Sequence, residues 1–414
     1  SATDTYNVAV GYNAGTAVTT GVNNTLIGGL AGDAITTGGS NTAVGQASLT
    51  TLTTASFNTA MGLNSGLVLT TGADNTLIGV SSGASLTTGT LNVAVGRNAL
   101  ASGAATNKNV AIGNNTLQSV SASSSVDSFN TAVGFSAGGA VTTGVENTLI
   151  GGLAGDALTD ADNNVAVGDF ALGADTLGSR STALGSRALE NQNFTTATST
   201  YNTAVGFHAG NDITTGVQNT IVGGLAGDAL TDADYNVAVG YACLTGDTKG
   251  SRTVAMGYGA LSTQNFTSVT ATYNVGIGFQ AGNAVTTGIN NTLIGGLAGD
   301  NITSGDSNII IGSGIDAQSA TADGQINIGG IFTHDGTDTI IDSPGDINLD
   351  AGGSDILLKV GGTTFGSLRE NGSNFRIKSE VSDKDMLFMG NDGGSEITAL
   401  TLDMSAAGAA TFNN

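Results

Sequence analysis

Along most of the chain one short pattern returns at a fixed interval: Asn, then Thr or Val, a small or aliphatic residue, a large aliphatic residue, and Gly. It begins at Asn7, Asn24, Asn41, Asn58, Asn75, Asn92 and Asn109, each seventeen positions after the last. It resumes at Asn130, Asn147, Asn164 and Ser181, continues at Asn202, Asn219, Asn236 and Thr253, and closes with Asn274, Asn291, Asn308 and Gln325, making 19 segments. The steps from Asn109 to Asn130, Ser181 to Asn202 and Thr253 to Asn274 span twenty-one positions, so from Asn58 onward a 72-residue super-repeat appears. Self-similarity at such periods marks stacked supersecondary units. Coils this short, with two short strands each, predict an all-β parallel β-roll or β-solenoid of 19 rungs over residues 1–329. At ~4.8 Å per rung the rod is on the order of 90 Å long. Helical repeats are longer, and each mid-helix Gly would cost about 1 kcal/mol.

Each position of the segment carries a physical constraint. The fifth residue is Gly in all 19 segments, which calls for positive φ or a close backbone approach. The first is Asn in 16, a residue that accepts left-handed geometry and whose side chains can hydrogen-bond as a ladder when stacked. The eighth is small (Ala14, Ala31, Ser48, Ala137, Ala154), and Cys243 falls in that slot, the place of a buried structural thiol.

Strand side chains alternate between two faces. The second and fourth residues share one, as Val8 with Val10 or Thr148 with Ile150; the third (Leu26, Ala43, Leu77, Leu149, Ile221, Leu293) takes the other. Both are apolar, and a narrow solenoid covers only one, so the second cover is expected from further copies of the chain.

Composition narrows the function. Gly is 65 of 414 residues and Pro is 1, without the Gly period of collagen, and 39% of residues are apolar, unlike a disordered chain. Net charge is −22 with 11 Lys and Arg, which excludes the basic footprint of nucleic-acid binding. A single cysteine excludes an intramolecular disulfide, and no run of 18 apolar residues encodes a transmembrane helix. The first residues, SATDTYNVAV, do not read as a signal peptide.

At NVAVG (Asn7), NVAIG (Asn109), NTAVG (Asn130) and NVGIG (Asn274) the chain resembles the YadA-like head repeats of trimeric autotransporter adhesins, with rungs longer than that family's. The resemblance covers residues 6–330 and implies a left-handed parallel β-roll and a homotrimer. The remainder, 330–414, is expected to be a separate β-rich region, of a kind that can intertwine between chains. It is similar to the repeated β modules of tail fibres in tailed phages, which lead into a distal part or a folding chaperone. Neither heptads nor a terminal membrane-strand aromatic closes the sequence, which tilts the expectation toward a virion fibre.

The expected function is therefore structural and adhesive: an extracellular virion fibre, of the tail-fibre or receptor-binding kind, attaching to a host surface glycan or protein and mounted on other virion proteins, without nucleic acid, membrane insertion or enzymatic activity. A bacterial cell-surface trimeric adhesin or extracellular filament protein is the alternative, and a glycan-degrading spike a minor one. The receptor-contact candidates lie in and beside the long segments ENQNFTTATSTY and STQNFTSVTATY: Asn193, Phe194, Asn265, Phe266, Tyr201 and Tyr273. A third such segment is QSVSASSSVDSF. Aromatics recur in register (Tyr6, Phe57, Phe129, Tyr201, Tyr273; Tyr12, Phe135, Phe207, Phe279) as packing clamps or sugar-stacking faces. Lys108, Arg180 and Arg252 recur with the super-repeat, and Asp175 and Asp247 stand five positions before the arginines, a spacing that suggests a repeated ion pair more than an anion site. Asp156, Asp160, Asp162, Asp228, Asp232 and Asp234 are turn caps or weak candidates for Ca²⁺; no other cofactor is expected. Threonine pairs such as Thr19–Thr20 and Thr36–Thr37 fill a sheet surface, or present an ice-binding face.

Overall fold

The computed structural model describes residues 4–121, 126–335, 337–341, 347, 355–371, 374–405 and 408–412, apart from the side chains of 355, 370 and 371. The chain forms two compact units, Ser1–Asp342 and Ser343–Asn414. The first is an all-β parallel solenoid of about 19 turns. Each turn contributes one three-residue strand, from Val8–Val10 to Ile326–Ile328, to a single parallel sheet. Register is exact to the repeat: Val8 faces Thr25, Ala9 faces Leu26 and Val10 faces Ile27. The 21-residue steps keep it, with Val110 opposite Thr131, Thr182 opposite Thr203 and Val254 opposite Val275. The four extra residues are thus absorbed elsewhere in the coil. Two strands per rung were expected. Among the described residues a second, two-residue strand pair forms only at the long steps: Thr106–Asn107 with Val126–Asp127, Gly178–Ser179 with Thr198–Ser199, and Gly250–Ser251 with Thr270–Ala271. Elsewhere the rest of the coil is turn, held by rung-to-rung backbone bonds such as Gly15 N–H to Ala31 O at 3.0 Å.

The third residue of each segment, the middle of its strand, points inward and is fully buried along the core, as at Leu26, Ala43, Leu77, Leu149, Ile221 and Leu293. Core volume is conserved by exchange between columns. Where that residue is large, as Leu149 is, the ninth is Gly155, and a Cβ there would lie 2.8 Å from Leu149 Cδ2. Where it is Ala166 or Ala183, the ninth is Leu172 or Leu189, fully buried. At Ala132 and Gly138 both are small, and the leucines of the flanking rungs, Leu117 and Leu149, close in from either side. This is jigsaw packing within a coil too narrow to repeat one side chain at every level.

The glycine at position five meets both of its constraints. From Gly11 to Gly312 its φ is +131 to +142°, and from Gly11 to Gly295 an added Cβ would lie 2.2–2.5 Å from the carbonyl oxygen of the next rung's glycine. The asparagine ladder forms as well: Asn24 N–H donates to Asn7 Oδ1 at 2.8 Å and Asn24 Nδ2 to Gly38 O at 3.0 Å. The left-handed corner, however, belongs to the preceding residue, Tyr6, Asn23, Ser40, Phe57 and onward, at φ 49–65°. Asn is fixed instead by its two side-chain bonds in the dry interior, where an unpaired amide would cost about 1–3 kcal/mol.

The boundary of the first unit falls beyond residue 329. Phe332–His334 and Thr339–Ile341 continue the sheet as an antiparallel hairpin on the last parallel strand. The second unit holds two three-stranded antiparallel sheets, Asp355–Val360, Thr363–Asn371 and Asn374–Ser379, then Met386–Asp392, Ser395–Asp403 and Ala409–Phe412. Parts of its sequence, including 348–354, lie outside the described residues.

Candidate binding surface

The second and third long coils, each with the rung before it, differ from the rest in their interior, whereas the first keeps the apolar Val120. The twelfth residue of a rung is ordinarily apolar and buried, as Leu158 and Ile213 are. Between those two levels the column holds Asp175 and Gln192, both fully buried. Gln192 Nε2 donates to Asp175 Oδ2 at 2.5 Å and to Ser181 Oγ at 2.8 Å, while its Oε1 accepts from Asn202 Nδ2 at 2.8 Å. Asp175 Oδ1 accepts the backbone N–H of Gly178 and of Phe194 at 3.0 and 3.1 Å. Burial pushes the Asp175 carboxyl above the usual aspartate range, against the pull of Gln192 and of those backbone amides. Ser181 stands where other rungs have Asn, so the ladder is interrupted there and this network takes over. Asp247, Gln264, Thr253 and Asn274 repeat it.

This interior decides the fate of the loop candidates. Phe194 and Phe266 are 6% and 8% exposed. Each gives its backbone N–H to Asp175 or Asp247, and its carbonyl accepts Thr176 or Thr248 Oγ1 at 2.8 Å. Two residues expected at the surface for receptor contact are therefore buried, held by their backbone to a buried carboxylate. Asn193 and Asn265 are exposed and accept from the same threonines at 3.2 and 3.3 Å. Residues 122–125 of the first long segment lie outside the described residues.

Tyr201 and Tyr273 are exposed, at 55% and 56%. They project from the left-handed corner before each Asn, in the column that also holds the recurring cations. The expected pairing of Arg180 with Asp175 and Arg252 with Asp247 does not form, since both carboxylates face inward. The cations lie over rings instead: Lys108 over Phe129 at 4.9 Å, Arg180 over Tyr201 at 5.9 Å, and Arg252 over Tyr235 and Tyr273 at 5.1 and 5.9 Å. Sequence spacing hides this, because Arg180 and Tyr201 become neighbours only through a 21-residue coil. Past the other end of the strands, Tyr241, Tyr258 and Phe279 stack with ring centroids 5.6 and 5.4 Å apart.

The aspartate clusters bond mainly to the neighbouring rung. Asp162 Oδ1 accepts Val145 N–H at 2.8 Å and Asp234 Oδ1 accepts Val217 N–H at 2.8 Å. Asp160 accepts Thr143 Oγ1, Asp228 accepts Thr245 Oγ1, and Asp232 pairs with Lys249 at 3.5 Å. Burial pushes the Asp156 carboxyl up. Among the described residues no three His, Cys, Asp or Glu side chains converge as a metal site. The threonine column donates along the rod, Thr19 Oγ1 to Thr36 O at 3.1 Å and Thr36 Oγ1 to Thr53 O at 3.2 Å, which commits hydroxyls that an ice-binding face would present to water. Cys243 is buried with Sγ 3.2 Å from Gly240 O, and burial pushes its thiol up to about 12.

The fourth residue of each segment, the last of its strand, faces outward. Val10, Ile27, Met61, Ile78, Ile112, Ile150, Leu184, Met256 and Ile328 are each 36–57% exposed. With rungs ~4.8 Å apart and the second and fourth residues ~7 Å apart, this strip measures roughly 90 by 10 Å. That is on the order of 900 Å², with the fourth-residue column aliphatic throughout and the second Thr in ten of the 19 rungs. In the second unit, Leu358, Phe365, Ile377, Met386 and Phe388 line a groove of about 320 Å³ with Lys378 and Asp385 at its edge. The chain matches no family model, no curated protein and no solved structure.

Proposed function

We propose that this chain is the subunit of an adhesive virion fibre, a homotrimeric tail-fibre or receptor-binding protein that holds a virion to its host-cell surface. The observation that carries the reading is the aliphatic strip from Val10 to Ile328. Its size is close to the ~800 Å² per partner of a stable interface, and its regular repeat suits parallel copies of the same rod. The likeness of the repeats to YadA-like heads supplies the number three, and the likeness of the stretch 330–414 to phage-fibre modules supplies the virion. A long rod of repeated, weakly binding surface gains avidity when several copies act together. No residue is assigned a catalytic role.

Light scattering on the full chain tests the assembly: a mass three times that of one chain is expected, and a stable, folded single copy would remove the oligomer. Purified protein is expected to bind host cells and to compete with intact particles for them. Failure to compete, or localisation of the protein to a bacterial surface rather than to particles, would replace the virion assignment with the cell-surface adhesin.

A further inference from the structure

The three cation sites that recur with the super-repeat are the same corner of the rod with its internal counter-ion progressively withdrawn. In the first, Lys108 lies over Phe129 and pairs with Asp127 at 2.6 Å. Lys108 holds the Asp127 carboxyl below the usual range. Asp127 sits on the short strand that pairs Asn107 with Asp127. In the second copy that strand pair matches Ser179 with Ser199, and in the third Ser251 with Ala271. The counter-ion of copy one is thus a serine in copy two and an alanine in copy three. Arg180 donates to Ser199 Oγ, and neither it nor Arg252 makes an ion pair among the described residues. Both arginines are exposed.

The cation changes along with its partner. Lys gives way to Arg, whose planar fork stacks on rings and grips two oxygens of one oxyanion through two parallel N–H bonds. Arg252 is held between Tyr235 and Tyr273, all three projecting from left-handed corners of successive rungs at φ 61, 62 and 52°. Rings on both sides fix the plane of the guanidinium, so little side-chain freedom remains to be lost on binding.

We propose that Arg252, with Arg180 as a second and weaker copy, is a binding site for the oxyanion group (carboxylate, sulfate or phosphate) of an acidic surface glycan. The two arginines are four rungs apart, about 19 Å at ~4.8 Å per rung, a spacing that lets one extended polymer engage both. This rests on the attachment reading and names the class of ligand. On a chain of net charge −22 the site must work against a repulsive background, so discrimination depends on the fork and its rings and not on long-range attraction.

Copy one supplies the experiment. Full-length wild type and a Ser199→Asp/Ala271→Asp variant, which restores the aspartate of copy one, are tested at ~0.15 M salt, where the Debye length is ~8 Å. The immobilised probes are polygalacturonate, dextran sulfate and neutral dextran, with inorganic phosphate as competitor. Wild type is expected to bind one or both charged polymers and not neutral dextran, the preferred polymer identifying carboxylate or sulfate, with phosphate displacing it. The double aspartate variant and Arg180→Ala/Arg252→Ala should each lose at least about tenfold in affinity, Arg252→Lys should fall between, and Lys108→Ala should match wild type. Wild-type binding to neutral dextran as strong as to the charged polymers, no binding to either charged polymer, or full affinity in the double aspartate variant would overturn the site. Host-cell adhesion that persists in that variant would also overturn it while leaving attachment in place. Loss of adhesion in wild type itself would instead remove the attachment reading.

Discussion

Gln192 Nε2 donates to Asp175 Oδ2 across 2.5 Å in the middle of the rod, and neither side chain reaches solvent. The pair occupies a column that Leu158 and Ile213 fill on either side, and it coincides with the loss of Asn at Ser181. A buried polar network is favourable only when every member is satisfied, and breaking one member leaves a buried charge uncompensated. Gln192→Ala is therefore expected to cost about 2–4 kcal/mol. The triple change Asp175→Leu, Ser181→Asn and Gln192→Leu restores the apolar column and the asparagine ladder together, and should be the more stable of the two by thermal midpoint. A triple variant that melts below the single one would show that the network does more than replace the ladder.

Phe194 shares that interior. It is 6% exposed, so Phe194→Ala should lower stability by about 3–5 kcal/mol, as large-to-small changes in cores do. A thermal midpoint equal to wild type would return the ring to the surface and to the ligand-contact role its loop position suggests.

Adjacent glycines separate backbone necessity from mere presence. Gly28 has φ +135° and a Cβ there would lie 2.5 Å from Gly45 O, whereas a Cβ on Gly29 would meet nothing within 4 Å. Gly28→Ala should cost several kcal/mol, at or beyond the ~4 kcal/mol that marks exceptional substitutions. Gly29→Ala should be neutral, or stabilise by about 0.4–1 kcal/mol through the unfolded chain. Equal midpoints for the two variants would contradict the packing of glycine against glycine along the rod.

The repeat was legible because stacking makes each column answer to one constraint. Gly at position five, the asparagine ladder and the inward third residue follow from residues that a level cannot exchange without disturbing the next. The left-handed corner was not legible: Tyr6, Ser40, Lys108 and Glu146 have no chemistry in common, and the corner is set by the path of the coil. Phe194 reads as exposed from its place in an inserted loop until its backbone bond to the buried Asp175 is placed. Asp175 and Gln192 did carry a signal, because at the 17-residue period they follow Val141 and Leu158 in one column and, like Asp247 and Gln264, put polar side chains where the rod is otherwise apolar.

If the outward strip is a subunit interface, charge placed on it should act on assembly before it acts on the coil. Ile78→Asp with Ile150→Asp leaves the buried Leu77 and Leu149 in place. Light scattering is expected to show a shift from trimer toward single copies, with the β signature in circular dichroism retained. An unchanged mass would mean that this face is not where copies meet.

Cys243 gives a reading of the interior that needs no assembly. Ala226 and Ala260 fill the same column in the flanking rungs, so Cys243→Ala should change stability by less than about 1.5 kcal/mol, as near-isosteric core swaps do. The thiol ordinarily ionises near 9.0 and burial pushes it up to about 12. Between those values the unfolded chain has lost a proton that the folded chain keeps, so the folded state binds more protons and its stability falls as pH rises. That fall begins near the unfolded value and is complete near the folded one; below pH 9 the term is fully favourable. Wild type should therefore lose more stability than Cys243→Ala between pH 8.5 and 10.5, roughly the lower half of that window. At neutral pH a thiol reagent should label Cys243 only as the rod melts, and labelling of the native protein at the rate of a free thiol would place the residue outside the core.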